Sequence, residues 1–156
     1  MTTRKSSWKK AEAKLNALKS AEVIKNFIDW ARSSRERKTF NDNLAATLIY
    51  SSLSEFIAQS LLSFNRYVKG AVSDSKEPTN LEYLINELES YDFNLKDKII
   101  PLLYKIKDQR NKLFHNLVVA QEKGLNIASL MRNVQNDTES LMGLWGNYLK
   151  GFFVKS

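Results

Sequence analysis

The run Arg110-Asn111-Lys112-Leu113-Phe114-His115 gathers the only histidine of the chain, an arginine, an amide and a lysine within six residues. The flanking sequence has helical periodicity, with apolar residues at Ile99, Leu103, Ile106, Leu113, Phe114 and Leu117. At about 100° of rotation per residue, Arg110 falls near the middle of that stripe, where a helix that only needed a core would carry Leu or Ile. Burying an unpartnered guanidinium is costly, so this one requires a carboxylate, a second subunit or a phosphate. Asn111 and His115 are four apart and share a neighbouring face. Arg110 and His115 lie roughly 140° apart on an ideal helix. They converge only if Arg110 reaches along the surface or a second copy of the helix completes the site. Guanidinium, amide and imidazole together suit a phosphodiester. Arginine supplies a permanently charged bidentate clamp, and a histidine ordinarily exchanges a proton near neutral pH. The plainer alternative for His115 is a helix-end histidine favoured by the C-terminal dipole.

The elements that must position these residues read as helices throughout. No segment alternates as a strand does, and two prolines and five glycines leave long uninterrupted runs. A first helix runs from Ser7 to about Arg37, with Trp8, Ala11, Leu15 and Leu18 on its stripe. A quarter-turn shift to Ile24, Phe27, Ile28 and Ala31 predicts a bend near Ser20. A second helix, capped by Asn41, Asp42 or Asn43, runs to about Lys69 and stops at Gly70. Leu44, Leu48, Leu53, Phe56, Ile57, Leu61, Phe64 and Val68 give it a broad apolar surface and a central place. Glu55 lies among them, with Gln59 on the same face; it either meets Arg110 or sits exposed at the edge of the helix. After a loop at 73–78, Thr79 or Asn80 caps a short helix from Leu81 to about Glu89. Asn94 then caps the helix that carries the Arg110–His115 run, and Pro101 either kinks that helix or is its first residue. Asn126 caps a last helix with Leu130, Val134, Leu141, Leu144, Trp145, Tyr148 and Leu149 along it.

A chain of 156 residues makes one domain, with a basic N-terminal helical segment at 1–38 and a helical bundle at 39–156. It has no cysteine and one histidine, which excludes disulfides and thiolate sites and leaves almost no scope for a transition metal. No glycine-rich phosphate loop occurs, so a P-loop hydrolase is excluded and no cofactor is expected. The start is charged without an apolar run, and nothing approaches the ~20 apolar residues of a membrane span. A soluble cytoplasmic protein is expected. The net charge of +7 is concentrated in residues 1–38, where eleven lysines and arginines face four acids; the remaining 118 residues balance at thirteen each. Such a stripe, with Lys9, Lys10 and Lys14 at its centre, either attracts a polyanion such as RNA or serves as a solvated face. Trp8, Trp30 and Trp145 stack on bases or, as aromatics at helical spacing more often do, join the core. Gly143 and Gly146 either admit a close helix or loosen their own. Phe152, Phe153 and Val154 are too apolar for a free tail and dock on this chain or a second subunit.

Arginine, four residues, then histidine, with asparagine directly after the arginine, late in a long helix of a small all-α domain, resembles the signature of the HEPN superfamily. The resemblance extends through the helical pattern over roughly residues 40–150. It implies an all-α, four- to five-helix up-and-down bundle of HEPN type, here with an extra basic helix. Many members are metal-independent endoribonucleases of toxin–antitoxin, phage-defence and CRISPR systems. A polar residue of the helix matching Glu55 often joins the arginine and histidine there. Carried onto this chain, Arg110 stabilises charge on the phosphoryl oxygens, His115 moves protons, Asn111 positions either, and Lys112 contacts the RNA backbone. One histidine cannot serve both proton transfers, whereas a homodimer with two such helices side by side supplies a pair. The products implied are a 2′,3′-cyclic phosphate and a 5′-hydroxyl. A cognate antitoxin or defence-system partner is implied as well. The competing expectations are a non-catalytic RNA-binding module of the same fold, and a protein-interaction module in which Arg110 only pairs with Glu55.

Overall fold

Every regular element in the computed structural model is helical among the residues it describes, 22–70, 80–115, 117 and 127–154. Residues 22–36 form α1, followed by α2 (Phe40–Val68), α3 (Leu81–Glu89), α4 (Lys96–His115) and α5 (Ile127–Val154). The expected bend near Ser20, the loop at 73–78 and the Asn126 cap lie outside the described residues, as do the side chains of Phe152, Phe153 and Val154.

Three sets of contacts give the helix directions. Arg32 and Arg35 of α1 meet Glu139 and Asn136 of α5 in descending order, so α1 and α5 are antiparallel. Thr47 and Tyr50 of α2 meet Gln135 and Glu139 in ascending order, so α2 and α5 are parallel. Lys105 pairs with Asp137, while Asn94 just ahead of α4 abuts Gly151, so α4 and α5 are antiparallel. The result is an up-and-down bundle of α1, α2, α4 and α5, with α3 inserted between α2 and α4. α4 packs chiefly on α5.

Local chemistry explains the helix ends. Thr39 caps α2, its hydroxyl oxygen accepting from the Asp42 backbone N–H at 3.1 Å. The cap therefore falls before Asn41, Asp42 and Asn43, because Thr39 satisfies an N–H that those residues would leave inside the first turn. Asn80 caps α3, accepting from the Tyr83 N–H at 2.8 Å. Leu95 rather than Asn94 takes the start of α4: at φ 65° its carbonyl accepts from the Lys98 and Ile99 N–H groups. Pro101 lies inside α4, five residues past its start, and is exposed. Its missing N–H costs one hydrogen bond near the helix start.

The core runs through all five helices, with Ile57 and Leu61 of α2, Ile85 and Leu88 of α3, and Leu103 and Ile106 of α4 fully buried. All four expected stripe residues of α3 are buried. The α2 surface differs from the expected one: Leu48 and Val68 are exposed, whereas Thr47, Ser51, Ser54 and Ala58 are buried on one face. These small side chains recur at helical spacing, and size rather than apolarity selects them for the face that meets α5. Gln135 on α5 donates to Thr47 Oγ1 at 3.1 Å and to the Asn43 carbonyl at 3.3 Å, which satisfies a buried amide there. On α1, Ile24 and Ala31 enter the core, but Phe27 and Trp30 stack on each other at the surface, with Trp30 58% exposed. Trp145 is buried. A Cβ at Gly143 or Gly146 would meet nothing within 4 Å, so among the described residues neither glycine admits a close helix.

α1 is fastened by a polar cluster. Glu139 on α5 accepts from Arg32 Nε at 2.8 Å and Nη2 at 2.7 Å, and from the buried Tyr50 hydroxyl at 2.6 Å. The hydrogen bond from Arg32 holds the Glu139 carboxyl below its ordinary range, opposed by burial. Burial, followed by the bond to Glu139, pushes Tyr50 up to about 12. Arg32 is half exposed, so the ion pair itself contributes little. The tyrosine matters more, because burial removes its alternative partner, water.

Two pH effects follow. The Glu139 contribution is complete above the ordinary carboxylate value of 4.5 and is lost as pH falls through the lowered folded value. From pH 10 to about 12 an unfolded tyrosine ionises while folded Tyr50 keeps its proton, so stability declines across that window. Tyr50→Phe costs about 1 kcal/mol at neutral pH. In urea titrations it also declines less steeply than the parent between pH 10 and 12; parallel declines would refute the assignment.

Candidate functional site

α4 carries the Arg110–His115 run, and it buries one side and exposes the other. Ile99, Leu103, Ile106 and Leu113 define the inward side. Arg110 lies among them on the helical wheel, with its side chain 20% exposed. Its Nη2 donates to Glu55 Oε1 of α2 at 2.8 Å, and the Glu55 side chain is 35% exposed. The acid in the middle of the most apolar helix and the arginine in the apolar stripe therefore meet each other. Arg110 Nη1 is buried and has no hydrogen-bond partner, so one carboxylate leaves the guanidinium with unused donors. Gln59, expected beside Glu55, is exposed.

Around α4 from Arg110, an ideal helix places Phe114 at about 40°, Asn111 at about 100° and His115 at about 140°. Asn111, Lys112, Phe114 and His115 are all exposed and line one open depression of about 660 Å³. Phe114 was expected in the core stripe. It is outside because Leu113, on the other flank of the stripe, takes the inward position and is 1% exposed. The structure thus brings Asn111, Lys112 and His115 together, and joins Arg110 to Glu55 as a separate pair one step around the same helix. Lys9, Lys10 and Lys14 lie outside the described residues.

The depression offers an imidazole, an amide and an ammonium on an open surface, and beside it stands a guanidinium whose Nη1 donor is buried without a partner. Amide and ammonium bind phosphoryl oxygens, and imidazole exchanges protons. Among the described residues no group of three or more His, Cys, Asp or Glu side chains is placed to hold a metal ion, and no helix is long and apolar enough to cross a membrane. Elsewhere on α4, Gln109 Oε1 is buried without a hydrogen-bond partner, as is Asp137 Oδ2 on α5. Sequence reading had no means to find either, since both residue types are ordinary on helix surfaces.

No protein-family model, no curated protein and no solved structure matches this chain.

The Arg110–Glu55 pair has a measurable signature. Glu55→Ala strands the guanidinium at the edge of the core and lowers unfolding free energy by about 1–2 kcal/mol; solvent access to Glu55 keeps the figure modest. Arg110→Met combined with Glu55→Met recovers most of that loss. A double-mutant cycle in urea then gives a coupling of about 1 kcal/mol. Purely additive effects would show that the two side chains do not hold each other.

Proposed function

We propose that this chain is a metal-independent endoribonuclease of HEPN type that acts as a two-fold homodimer, with a role as a toxin or in phage defence. The observation that carries this reading is the grouping on α4: Asn111, Lys112 and His115 share one open depression, on the same helix as an arginine held by Glu55. It is supported by the spacing of Arg110, Asn111 and His115, which resembles the HEPN signature. In this mechanism one His115 imidazole takes the proton of the 2′-hydroxyl as O2′ attacks phosphorus. The bond from phosphorus to O5′ breaks, and the His115 of the second copy protonates the leaving oxygen. Arg110 stabilises the charge that develops on the non-bridging oxygens. Glu55 keeps the guanidinium at the margin of the core between turnovers, Asn111 orients the imidazole or phosphate, and Lys112 contacts the backbone. The products are a 2′,3′-cyclic phosphate and a 5′-hydroxyl. The basic residues ahead of α1 add affinity that falls steeply with salt. A cognate antitoxin or larger defence complex is the expected regulator of such an activity.

A second reading rests on the Arg110–Glu55 bond, which satisfies part of the arginine within one chain. It is a HEPN-like module that binds RNA or protein without cutting, in which the pair serves only to join α2 and α4.

Incubation with RNA in EDTA separates the two. Nuclease action requires cleavage that persists in chelator and leaves cyclic phosphate ends. His115→Ala then lowers the rate by about 100-fold or more, and Arg110→Ala by a similar factor. Full cleavage by His115→Ala would remove the catalytic assignment. A monomer at micromolar concentration by light scattering would contradict the composite site.

A further inference from the structure

Of the two residues of the run that catalysis does not use, Leu113 and Phe114, only Phe114 is exposed. It is 36% exposed although its neighbour Leu113 is 1% exposed. It lines the same depression as Asn111, Lys112 and His115. On the helical wheel its ring stands between Arg110 and His115, about 40° from the first and about 100° from the second. A nucleotide whose phosphate lies between the guanidinium and the imidazole of one chain therefore passes over this ring. Aromatic rings bind nucleobases by stacking, largely irrespective of base identity, and the flanking ammonium and amide suit the connecting phosphate and sugar. In A-form duplex RNA the base faces are covered by their neighbours, so only unpaired nucleotides can use such a ring.

We propose that Phe114 is a stacking platform for the nucleobase next to the bound phosphodiester, and that this ring is what makes the site favour unpaired nucleotides. The inference rests on the RNA reading of the site and goes beyond it by naming the residue that holds the base. The ring touches no reacting atom. It fixes the nucleotide through its base while Lys112 and Asn111 meet the backbone, so preference among the four bases is weak.

The test uses the full chain with His115→Ala, so that cleavage does not interfere, and fluorescence anisotropy with a labelled oligouridylate and an RNA duplex of equal length. Adding Phe114→Ala weakens single-strand binding by about tenfold. Phe114→Trp keeps it, and duplex binding changes by no more than about twofold. Unchanged single-strand affinity in Phe114→Ala would overturn the stacking role and leave the RNA reading in place. Equal losses for single strand and duplex would also overturn it, because the ring would not then be sensing unpaired bases. So would a Phe114→Ala variant that light scattering shows as a monomer where the parent is a dimer, since the ring would then be a contact between copies. If the His115→Ala parent binds neither RNA, the RNA reading fails first and this inference falls with it.

Discussion

A charged group at the edge of a helical core must be satisfied before the helix can settle, and in this bundle that requirement ties α4 to α2. The Arg110 guanidinium is four-fifths buried and meets the Glu55 carboxylate at 2.8 Å. Without that bond α4 would gain by rotating outward to rehydrate the arginine, which would withdraw Leu113 and Ile106 from the core. With it, the rotation of α4 is held. Asn111, Phe114 and His115 then have no inward alternative and project from one exposed sector. The ion pair contributes little net stability, as partly exposed pairs do. Its larger effect is on geometry, because it determines which side of α4 the solvent sees.

The rest of the bundle keeps α4 and its neighbours in place by the same kind of accounting. α5 touches α1, α2 and α4, and it meets each with a polar group placed at the packing level. Glu139 gathers Arg32 and Tyr50, Gln135 satisfies the Thr47 hydroxyl and the Asn43 carbonyl, and Asp137 pairs with Lys105. On the far side of α2, the buried Arg66 meets Glu87 of α3 at 3.3 Å. A bundle built from apolar stripes alone tolerates sliding and rotation of its helices. Polar groups that find partners at only one register restrict both. This explains why an architecture with exposed aromatics on α1 and α2 still has defined contacts between helices distant in sequence.

Much of this was legible in the sequence, and the failures share a cause. The helical character, the existence of α3 with its four buried apolar residues, and the meeting of Glu55 with Arg110 all follow from periodicity and from the cost of an unpartnered charge. The inward face of α2 did not follow, because hydropathy assigns Leu48 to the core and Thr47 to water, whereas contact with α5 favours the smaller side chain. Phe114 was misplaced for a related reason. It lies within about 40° of the stripe centre on the wheel, and a wheel does not say which flank a neighbouring helix covers. The Glu139 cluster was invisible, since Arg32 and Glu139 are separated by 107 positions and each is an ordinary surface residue type. Local pattern reaches only as far as one helix; register between helices is a tertiary property.

The same geometry bears on how one histidine could serve a two-proton reaction. On a single α4, Arg110 faces the core margin and His115 faces outward roughly 140° away, so a phosphate gripped by both must lie across the helix surface over Phe114. In the proposed reaction that arrangement would hold the nucleotide but leave the leaving oxygen without an acid. A second α4 related by a two-fold axis changes this, because the axis turns an outward His115 toward its counterpart. In the proposed reaction one chain would supply the groups that bind substrate, whereas the complete proton relay would ask for two. A chain whose run binds RNA as a monomer and cuts only as a dimer would carry a built-in dependence on its own concentration.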